Sequence, residues 1–88
     1  MQNTHHEKYC QIFKALSHVL RLQIVIVLDN ERCVTDVMKI LSITQPVTSH
    51  HLCILKKRGI VNYRKEGKRI IYFVNNKCIK EIISIVMK

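Results

Sequence analysis

Four polar side chains between residues 45 and 53 have the chemistry to read the edges of nucleic-acid bases. Gln45 can pair bidentately with adenine, Ser49 can donate or accept a hydrogen bond, and His50 can donate to guanine or to a phosphate. With Cys53 they share one side of a helix, because their spacing follows the helical period. The opposite, core-facing side carries Thr48, His51, Leu52 and Leu55. The pattern predicts a base-reading face, and the alternative is that these are ordinary solvent-facing residues.

A cluster of cations follows the base-reading face. Its members are Lys56, Lys57, Arg58, Arg64, Lys65, Lys68 and Arg69. The whole chain has 15 lysines and arginines against 6 aspartates and glutamates, a formal net charge of +9. Such charge points to an acidic polymer, because cations that contact phosphates fix the register of a protein on nucleic acid without reading its sequence. Thr44 and Thr48 complete the predicted phosphate contacts, and the alternatives are a solvated surface or anionic lipid.

The four cysteines, at positions 10, 33, 53 and 78, are too widely spaced for a disulfide framework or a zinc site. Residues 1–7 lack the basic start and apolar stretch of a secretory signal, so we expect a cytoplasmic location and free thiols. Since the spacing of a zinc site is missing as well, we expect no resident cofactor. Cys53 is a special case, because neighbouring Lys56 and Lys57 favour oxidation of its thiol. Oxidation there would add bulk to the base-reading face, and the alternative is an inert exposed thiol.

Apolar periodicity predicts the elements that position these side chains. We expect helices at residues 6–16 and 34–41, where apolar residues repeat on one helical face, and at 18–28, where a near-continuous apolar run indicates an element buried on most sides. Ser17 is the predicted N-cap of the second helix. The β-branched run at residues 24–27 would also fit a strand, but an apolar segment of about eleven residues behind a cap favours a buried helix.

The fourth predicted helix carries the base-reading face. Thr44 is its expected N-cap, Pro46 fits its first turn, and Gly59 ends it after Arg58. Only residues 42–44 separate it from the third helix. A turn this short forces the two helices to cross sharply, which is the geometry of a helix-turn-helix.

A hairpin and a last helix complete the predicted fold. Residues 60–64 and 69–74 favour strands and flank a glycine-bearing turn at 65–68, which gives a hairpin with a cationic tip. Asn76 is the expected N-cap of a helix over residues 77–88. A chain of 88 residues supports one core, and no apolar run is long enough to cross a bilayer. The prediction is a single domain over residues 1–88, mainly α with a small β-hairpin: a winged helix-turn-helix of about five helices and a two-stranded wing.

Five short motifs carry a family resemblance that covers the chain from about Phe13 to Ile83. In order they are Lys14-Ala15-Leu16-Ser17 followed by Arg21-Leu22, Cys33-Val34-Thr35-Asp36, Thr44-Gln45-Pro46-Val47-Thr48-Ser49-His50-His51-Leu52, Gly59-Ile60-Val61, and Arg64-Lys65-Glu66-Gly67-Lys68 before Tyr72. The chain thereby resembles the ArsR/SmtB family of bacterial and archaeal winged-helix repressors. The resemblance implies a transcriptional regulator that binds double-stranded DNA with sequence specificity.

The resemblance also implies a homodimer, built from the first and last helices, that represses from an imperfect inverted repeat and often releases it when an inducer binds. The predicted dimer interface consists of Tyr9, Ile12, Phe13, Ile79, Ile82, Ile83 and Val86. An uncovered apolar stripe on the last helix would be costly in water, which supports a partner. The alternative is that these side chains fill the core of a monomer.

Metal and redox sensing of the kinds found in the family is predicted to be degenerate in this chain. Relatives that bind soft metals use two cysteines at the positions of Cys33 and Thr35, and only Cys33 is kept. Cys10, His5 and His6 could join Cys33 around a soft ion, and the alternative is that Cys33 is a small buried residue. The last helix has no Asp or His for a harder metal, and the second helix has no cysteine for a dithiol sensor.

Enzymatic activity is not predicted. The sequence has no glycine-rich phosphate loop and no recognisable set of acid, base and nucleophile. A basic winged-helix module that binds RNA or a protein partner remains the alternative function, because one fold hosts several roles. The family-like segment at residues 45–52 favours duplex DNA.

Overall fold

The computed structural model describes residues 4–86, with side chains from His6 onward. These residues form five helices and three strands. In chain order they are α1 (Thr4–Leu16), α2 (Val19–Val27), β1 (Arg32–Cys33), α3 (Val34–Leu41), α4 (Gln45–Lys57), β2 (Val61–Glu66), β3 (Arg69–Val74) and α5 (Lys77–Val86). The mainly α architecture with a hairpin after the fourth helix is as predicted. Residues 87 and 88, which the last predicted helix included, lie outside the described part.

One apolar core joins all five helices to the base of the sheet. Its buried members are Ile12, Ala15, Ile24, Val25, Leu28, Val37, Leu52, Leu55, Ile60, Val61, Val74 and Ile79. The β-branched run that left α2 ambiguous is helical, with Ile24 and Val25 buried. A buried helix tolerates such residues because tertiary packing outweighs their weak helix propensity.

The N-cap of α2 is His18 rather than Ser17, which corrects the sequence prediction. His18 is extended, with φ −97° and ψ 124°, and its Nδ1 accepts a hydrogen bond from the Leu20 N–H at 3.2 Å. The Ser17 hydroxyl instead donates to the Lys14 carbonyl at 2.7 Å, at the end of α1. The difference arises because either a hydroxyl oxygen or an imidazole nitrogen can accept from an open helix terminus.

The turn between α3 and α4 is as short as the sequence predicts. Ser42 adopts a left-handed conformation with φ 54°, and the Ile43 N–H donates to the Met38 carbonyl at 3.1 Å, which closes the end of α3. Thr44 occupies the predicted N-cap position of α4, but its side chain makes no capping hydrogen bond. The Thr44 carbonyl accepts the Thr48 N–H at 3.0 Å and begins the helical ladder.

Gly59 ends α4 as predicted. Its φ of +75° lets its own N–H donate to the Lys56 carbonyl and the Ile60 N–H donate to the Leu55 carbonyl, both at 3.0 Å. This pair of bonds is a Schellman motif, in which a left-handed glycine satisfies carbonyls that the helix leaves open. The chain therefore leaves α4 at a fixed angle and enters the wing.

The three strands form an antiparallel sheet in the order β1-β3-β2. The wing turn is only Gly67 and Lys68, with φ +62° at Gly67, so the predicted four-residue turn is too long and β2 extends to Glu66. Positive φ at the first of two turn residues matches the right-handed twist of a hairpin. The sequence analysis missed β1, because two residues are too short to show an alternating pattern.

The last helix starts as predicted, since the Asn76 side-chain oxygen accepts a hydrogen bond from the Ile79 N–H at 3.1 Å. Within residues 4–86, no single helix has the length and apolar composition to cross a membrane. One helix pair, His6–Leu16 with Val19–Val27, meets those criteria jointly but bends by 95° between its halves.

Candidate nucleic-acid interface

The outer face of α4 carries the four predicted base-reading side chains. Gln45, His50 and Cys53 are exposed, and Ser49 is half-buried. Gln45 Nε2 donates a hydrogen bond to Ser49 Oγ at 3.2 Å, which aligns two polar groups one turn apart. The face thus presents donors and acceptors to solvent in a row, and their contact with bases stays a prediction.

The inner face of α4 packs against the core. Leu52 and Leu55 are fully buried, and His51 is nearly so, as the helical period predicts. Thr48 is fully buried as well, and its Oγ1 donates to the Thr44 carbonyl at 2.7 Å. The predicted phosphate contact of Thr48 is therefore wrong, because the hydroxyl is turned back onto its own helix. Thr44 is exposed and stays a predicted phosphate contact.

Three cations follow at the end of α4. Lys56, Lys57 and Arg58 are all exposed, at the helix terminus whose dipole favours positive charge. Lys56 Nζ lies 5.4 Å from the centroid of the Tyr63 ring on β2, a cation–π contact. This contact links the recognition helix to the wing and limits where the Lys56 ammonium can reach.

The wing tip presents two further cations. Lys65 and Lys68 are exposed, and within the described part of the chain neither makes an ion pair. Lys68 is the second residue of the tight turn, and Lys65 lies two residues before Gly67 on β2, so the backbone holds both near the end of the hairpin. Both ammonium groups are available to phosphates.

Arg64 differs from the wing lysines, because two carboxylates already bind it. Its guanidinium donates to Glu31 and to Glu66, each at 2.6 Å, and lies 5.8 Å from the centroid of the Phe73 ring. The hydrogen bond from Arg64 lowers the pKa of Glu31, and the bonds to Glu31 and then Glu66 raise the pKa of Arg64 above its ordinary value. Arg64 stays a predicted phosphate contact, but a phosphate would have to compete with both carboxylates.

Arg69 is also engaged, at the opposite end of the hairpin turn. Its guanidinium lies 3.9 Å from Asp36 on α3, and a hydrogen bond with the Cys33 thiol raises the pKa of Arg69. Arg69 therefore connects the wing to the start of α3. Its predicted phosphate contact has the same limit as that of Arg64.

A groove of about 610 Å³ separates the wing from α3 and the start of α4. Gln45 and Ser49 line it from α4, whereas Lys68 and Arg69 line it from the wing. The structure thus brings two predicted base-reading residues of α4 and two predicted phosphate contacts of the wing to one surface feature. The sequence located each set separately, and the fold joins them.

The sequence analysis missed an aromatic pair at the base of the wing. Tyr63 and Tyr72 are cross-strand partners with ring centroids 5.4 Å apart. Burial raises the pKa of Tyr72, with a smaller contribution from Tyr63. The signal was the turn at Gly67, because the length of a hairpin turn sets the register that places the two tyrosines opposite each other.

The cysteines are free in the structure. Cys10, Cys53 and Cys78 are exposed, and Cys33 is half-buried. Among the residues that the structure describes, no group of three or more His, Cys, Asp and Glu side chains is arranged to hold a metal ion. The side chain of His5, one of the weak metal candidates, lies outside the described residues.

The predicted dimer interface divides into two sets. Tyr9, Phe13, Ile82 and Val86 are exposed, and Ile83 is partly buried against the core. Ile12 and Ile79 are 1% and 2% exposed, so their assignment to a dimer interface is wrong. They point into the core of the same chain, since one helical face is wide enough to serve both the core and a second surface. Ile85 on α5, which was not predicted, is exposed as well.

Comparison with known proteins identifies relatives over most of the chain. The family described as "Bacterial regulatory protein, arsR family" matches residues 18–63, more than half of the chain. An uncharacterised HTH-type transcriptional regulator from Methanocaldococcus jannaschii is 43% identical over 92% of this chain and 93% of its own length. A cadmium resistance transcriptional regulatory protein CadC homolog from Staphylococcus aureus is 41% identical over 83% of this chain. The chain spans 62% of the length of that homolog.

Solved structures of similar fold include an activator and a repressor of transcription. HlyU from Vibrio cholerae, which is named a transcriptional activator, superposes with a TM-score of 0.90 at 31% identity, over 97% of this chain and 94% of its own. The transcriptional repressor PagR of Bacillus anthracis gives 0.88 at 28% identity, over 97% and 99%. A homodimeric winged helix-turn-helix DNA-binding domain from Mycobacterium bovis gives 0.87 at 27% identity, over 96% and 79%.

Proposed function

Because the chain belongs to the ArsR family of bacterial regulatory proteins, we propose that it is a homodimeric transcriptional regulator that binds duplex DNA with sequence specificity. One observation supports the proposal: Gln45 and Ser49 on the polar face of α4 border the same groove as Lys68 of the wing. A duplex is a partner that needs both, since its base edges carry sequence and its phosphates carry charge. Binding to chromosomal DNA would place the protein in the cytoplasm.

The α4 helix would enter the major groove. Its outer face offers Gln45 for adenine and His50 for guanine or phosphate, while the buried inner face anchors the helix to the core. Lys65 and Lys68 would contact the backbone beside that groove. Side chains that read bases and side chains that hold phosphates thus lie on different elements, and Gly59 sets the angle between them.

The second subunit would pack on the exposed apolar residues of the terminal helices. Tyr9 and Phe13 on α1, with Ile82 and Val86 on α5, are apolar side chains that the rest of the described chain leaves uncovered. The similar domain from Mycobacterium bovis is described as homodimeric, which supports a second subunit. Two copies related by a two-fold axis would bind an inverted repeat.

We assign repression rather than activation, by analogy with the repressors SmtB and PagR. HlyU, in contrast, is named an activator. Binding without a resident cofactor is part of the proposal. A soft metal ion held by Cys10 and Cys33 is the alternative. Operator affinity that depends on added cadmium or zinc would favour that alternative.

Selection of bound duplexes from a random DNA pool tests the function. We expect enrichment of an imperfect inverted repeat, bound by two chains per duplex. A parallel pool of RNA measures the alternative function. Tight RNA binding without preference for any duplex would overturn the proposal.

The dimer is tested by Phe13→Asp and Ile82→Asp. Each places a charge on an exposed apolar surface, so we expect monomers in sedimentation velocity and loss of operator binding, with an unchanged helical spectrum. Glu81→Gln is a matched control on α5, because Glu81 is exposed and lies outside the predicted interface. Dimers that survive both Asp substitutions would place the second subunit elsewhere.

A further inference from the structure

His51 is a buried polar side chain that the proposed function does not use. It lies on the inner face of α4 with only 7% of its surface exposed. Its Nδ1 is buried and has no hydrogen-bond partner among the described residues. Native proteins satisfy most buried polar atoms, so an unsatisfied one requires an explanation.

The surroundings of His51 favour a neutral ring. From α2, the His18 ring lies 4.8 Å away between centroids, and Arg21 adds a positive charge. From α4 itself, the His50 ring lies 5.2 Å away. Burial lowers the pKa of His51 below its ordinary value of 6.5, and the charges of His18, Arg21 and His50 lower it further. No carboxylate is among the groups whose charge acts on His51.

Two of these neighbours are fixed in place. Arg21 Nε donates to the Ala15 carbonyl at 2.7 Å, and His18 Nδ1 accepts the Leu20 N–H as the N-cap of α2. Neither group can turn away from a proton on His51 without giving up its own hydrogen bond. Separation of α4 from the start of α2 would rehydrate a charged ring.

We propose that His51 is a positioning residue whose neutral ring keeps α4 packed against the start of α2. When the ring takes up a proton, α4 moves away from α2, and DNA binding weakens in acid. The inference rests on the proposed function, since it regulates the same helix. The protein would then respond to acidification without any ligand.

The direction of the pH dependence follows from the linkage between protonation of His51 and stability. His51 binds a proton more readily when the chain is unfolded, or when α4 has moved away from α2, because burial lowers the pKa of His51 in the native state. The contribution of neutral His51 to stability is therefore fully present above a pH of about 6.5 and is lost as the pH drops from there through the lowered pKa. His50 is exposed on the outer face of α4, which faces DNA in the proposed function, so its imidazole is removed from the comparison.

The experiment therefore works in a His50→Gln background. There, His51 is compared with His51→Leu, which has similar volume and no titration, and with His51→Gln as a polar second variant. Duplex affinity is measured by fluorescence anisotropy between about pH 8 and pH 5 at constant ionic strength, and urea midpoints are measured alongside. His6→Gln is the control, because His6 on α1 is not among the groups whose charge acts on His51.

We expect the protein with His51 to lose about fivefold or more of its affinity across this range, the size of a typical coupling between two sites. The His51→Leu protein should stay flat, and so should its urea midpoint. In the wild type, NMR titration of the His51 ring should report a pKa below the ordinary value, with shifts in α4 amides at the same pH. His18→Asn, which keeps an N-cap acceptor, should raise that pKa.

An acid loss that is the same in His51→Leu would overturn the inference, and so would a His51 ring that titrates without any change in α4. Failure of the proposed function looks different, since no duplex would then bind even at about pH 8. In that case the urea and NMR measurements still decide whether protonation of His51 moves α4 away from α2.

Discussion

On its inner face α4 buries Thr48, Leu52 and Leu55 completely, whereas on its outer face Gln45, His50 and Cys53 lie exposed. The two faces alternate within single residues, and Leu52 and Cys53 are neighbours in the chain. We therefore expect the inner face to contribute most of what α4 adds to the free energy of unfolding, because burial of apolar side chains stabilises the fold. One helix can therefore be anchored rigidly and still vary the sequence that it reads.

The largest expected effect separates the neighbours Leu52 and Cys53. Leu52→Ala should lower the free energy of unfolding by about 2–5 kcal/mol, because it leaves a cavity in the core. Cys53→Ala should change it by less than about 0.5 kcal/mol, as for most surface substitutions. Urea unfolding measures both. Equal losses at the two positions would mean that the two faces are not separate.

Substitutions on the outer face should change recognition without changing stability. We expect Gln45→Ala and His50→Ala each to lose about 1–3 kcal/mol of discrimination at one base position, the value of a good contact to a base edge. Affinity for the selected operator and for single-base variants of it measures the loss. Affinity for random duplex serves as the control. A uniform loss over all sequences would make these side chains backbone contacts.

The wing offers a second pair of neighbours, Arg64 and Lys65. Lys65→Gln should reduce the slope of log affinity against log salt by about 2 for a dimer, since each lost phosphate contact lowers it by about 1. Arg64→Gln should reduce the slope less, because Glu31 and Glu66 already bind the guanidinium. Equal changes in slope would show that phosphates displace both carboxylates.

The wild-type slope also tests the interface as a whole. With on the order of 6 phosphates neutralised per dimer, affinity should fall about a thousandfold between about 50 and 200 mM salt. Affinity that stays flat over this range would contradict an interface built on lysine and arginine contacts to phosphates.

The smallest expected effect concerns the turn that sets the angle of α4. Ser42 holds a left-handed conformation that costs a non-glycine residue about 1–2 kcal/mol. Ser42→Gly should therefore stabilise the fold by about 0.5–1 kcal/mol, after the greater freedom of glycine in the unfolded chain is subtracted. Ser42→Ala, which keeps the strain, is the control. A loss of stability in Ser42→Gly would show that the strain is absent.

The site was predicted in parts. The helical period assigned the faces of α4, and Gly59 and Asn76 marked helix ends correctly, because each signal acts over a few residues. Membership of a family of DNA-binding regulators confirms the expectation that the chain is not an enzyme. Thr48 was misassigned to phosphate contact, since a hydroxyl on a helix can bond its own backbone as well as a partner.

By itself, the sequence determined the order of helices, the turn before α4 and the position of the cations, since these depend on side-chain period, caps and local charge. Only the tertiary structure decided that β1 joins the sheet, that Ile12 and Ile79 belong to the core, and that Glu31 binds Arg64 from 33 residues away. It also placed His18 against His51. Such contacts depend on how distant elements pack, and a local pattern carries no information about the distance between them.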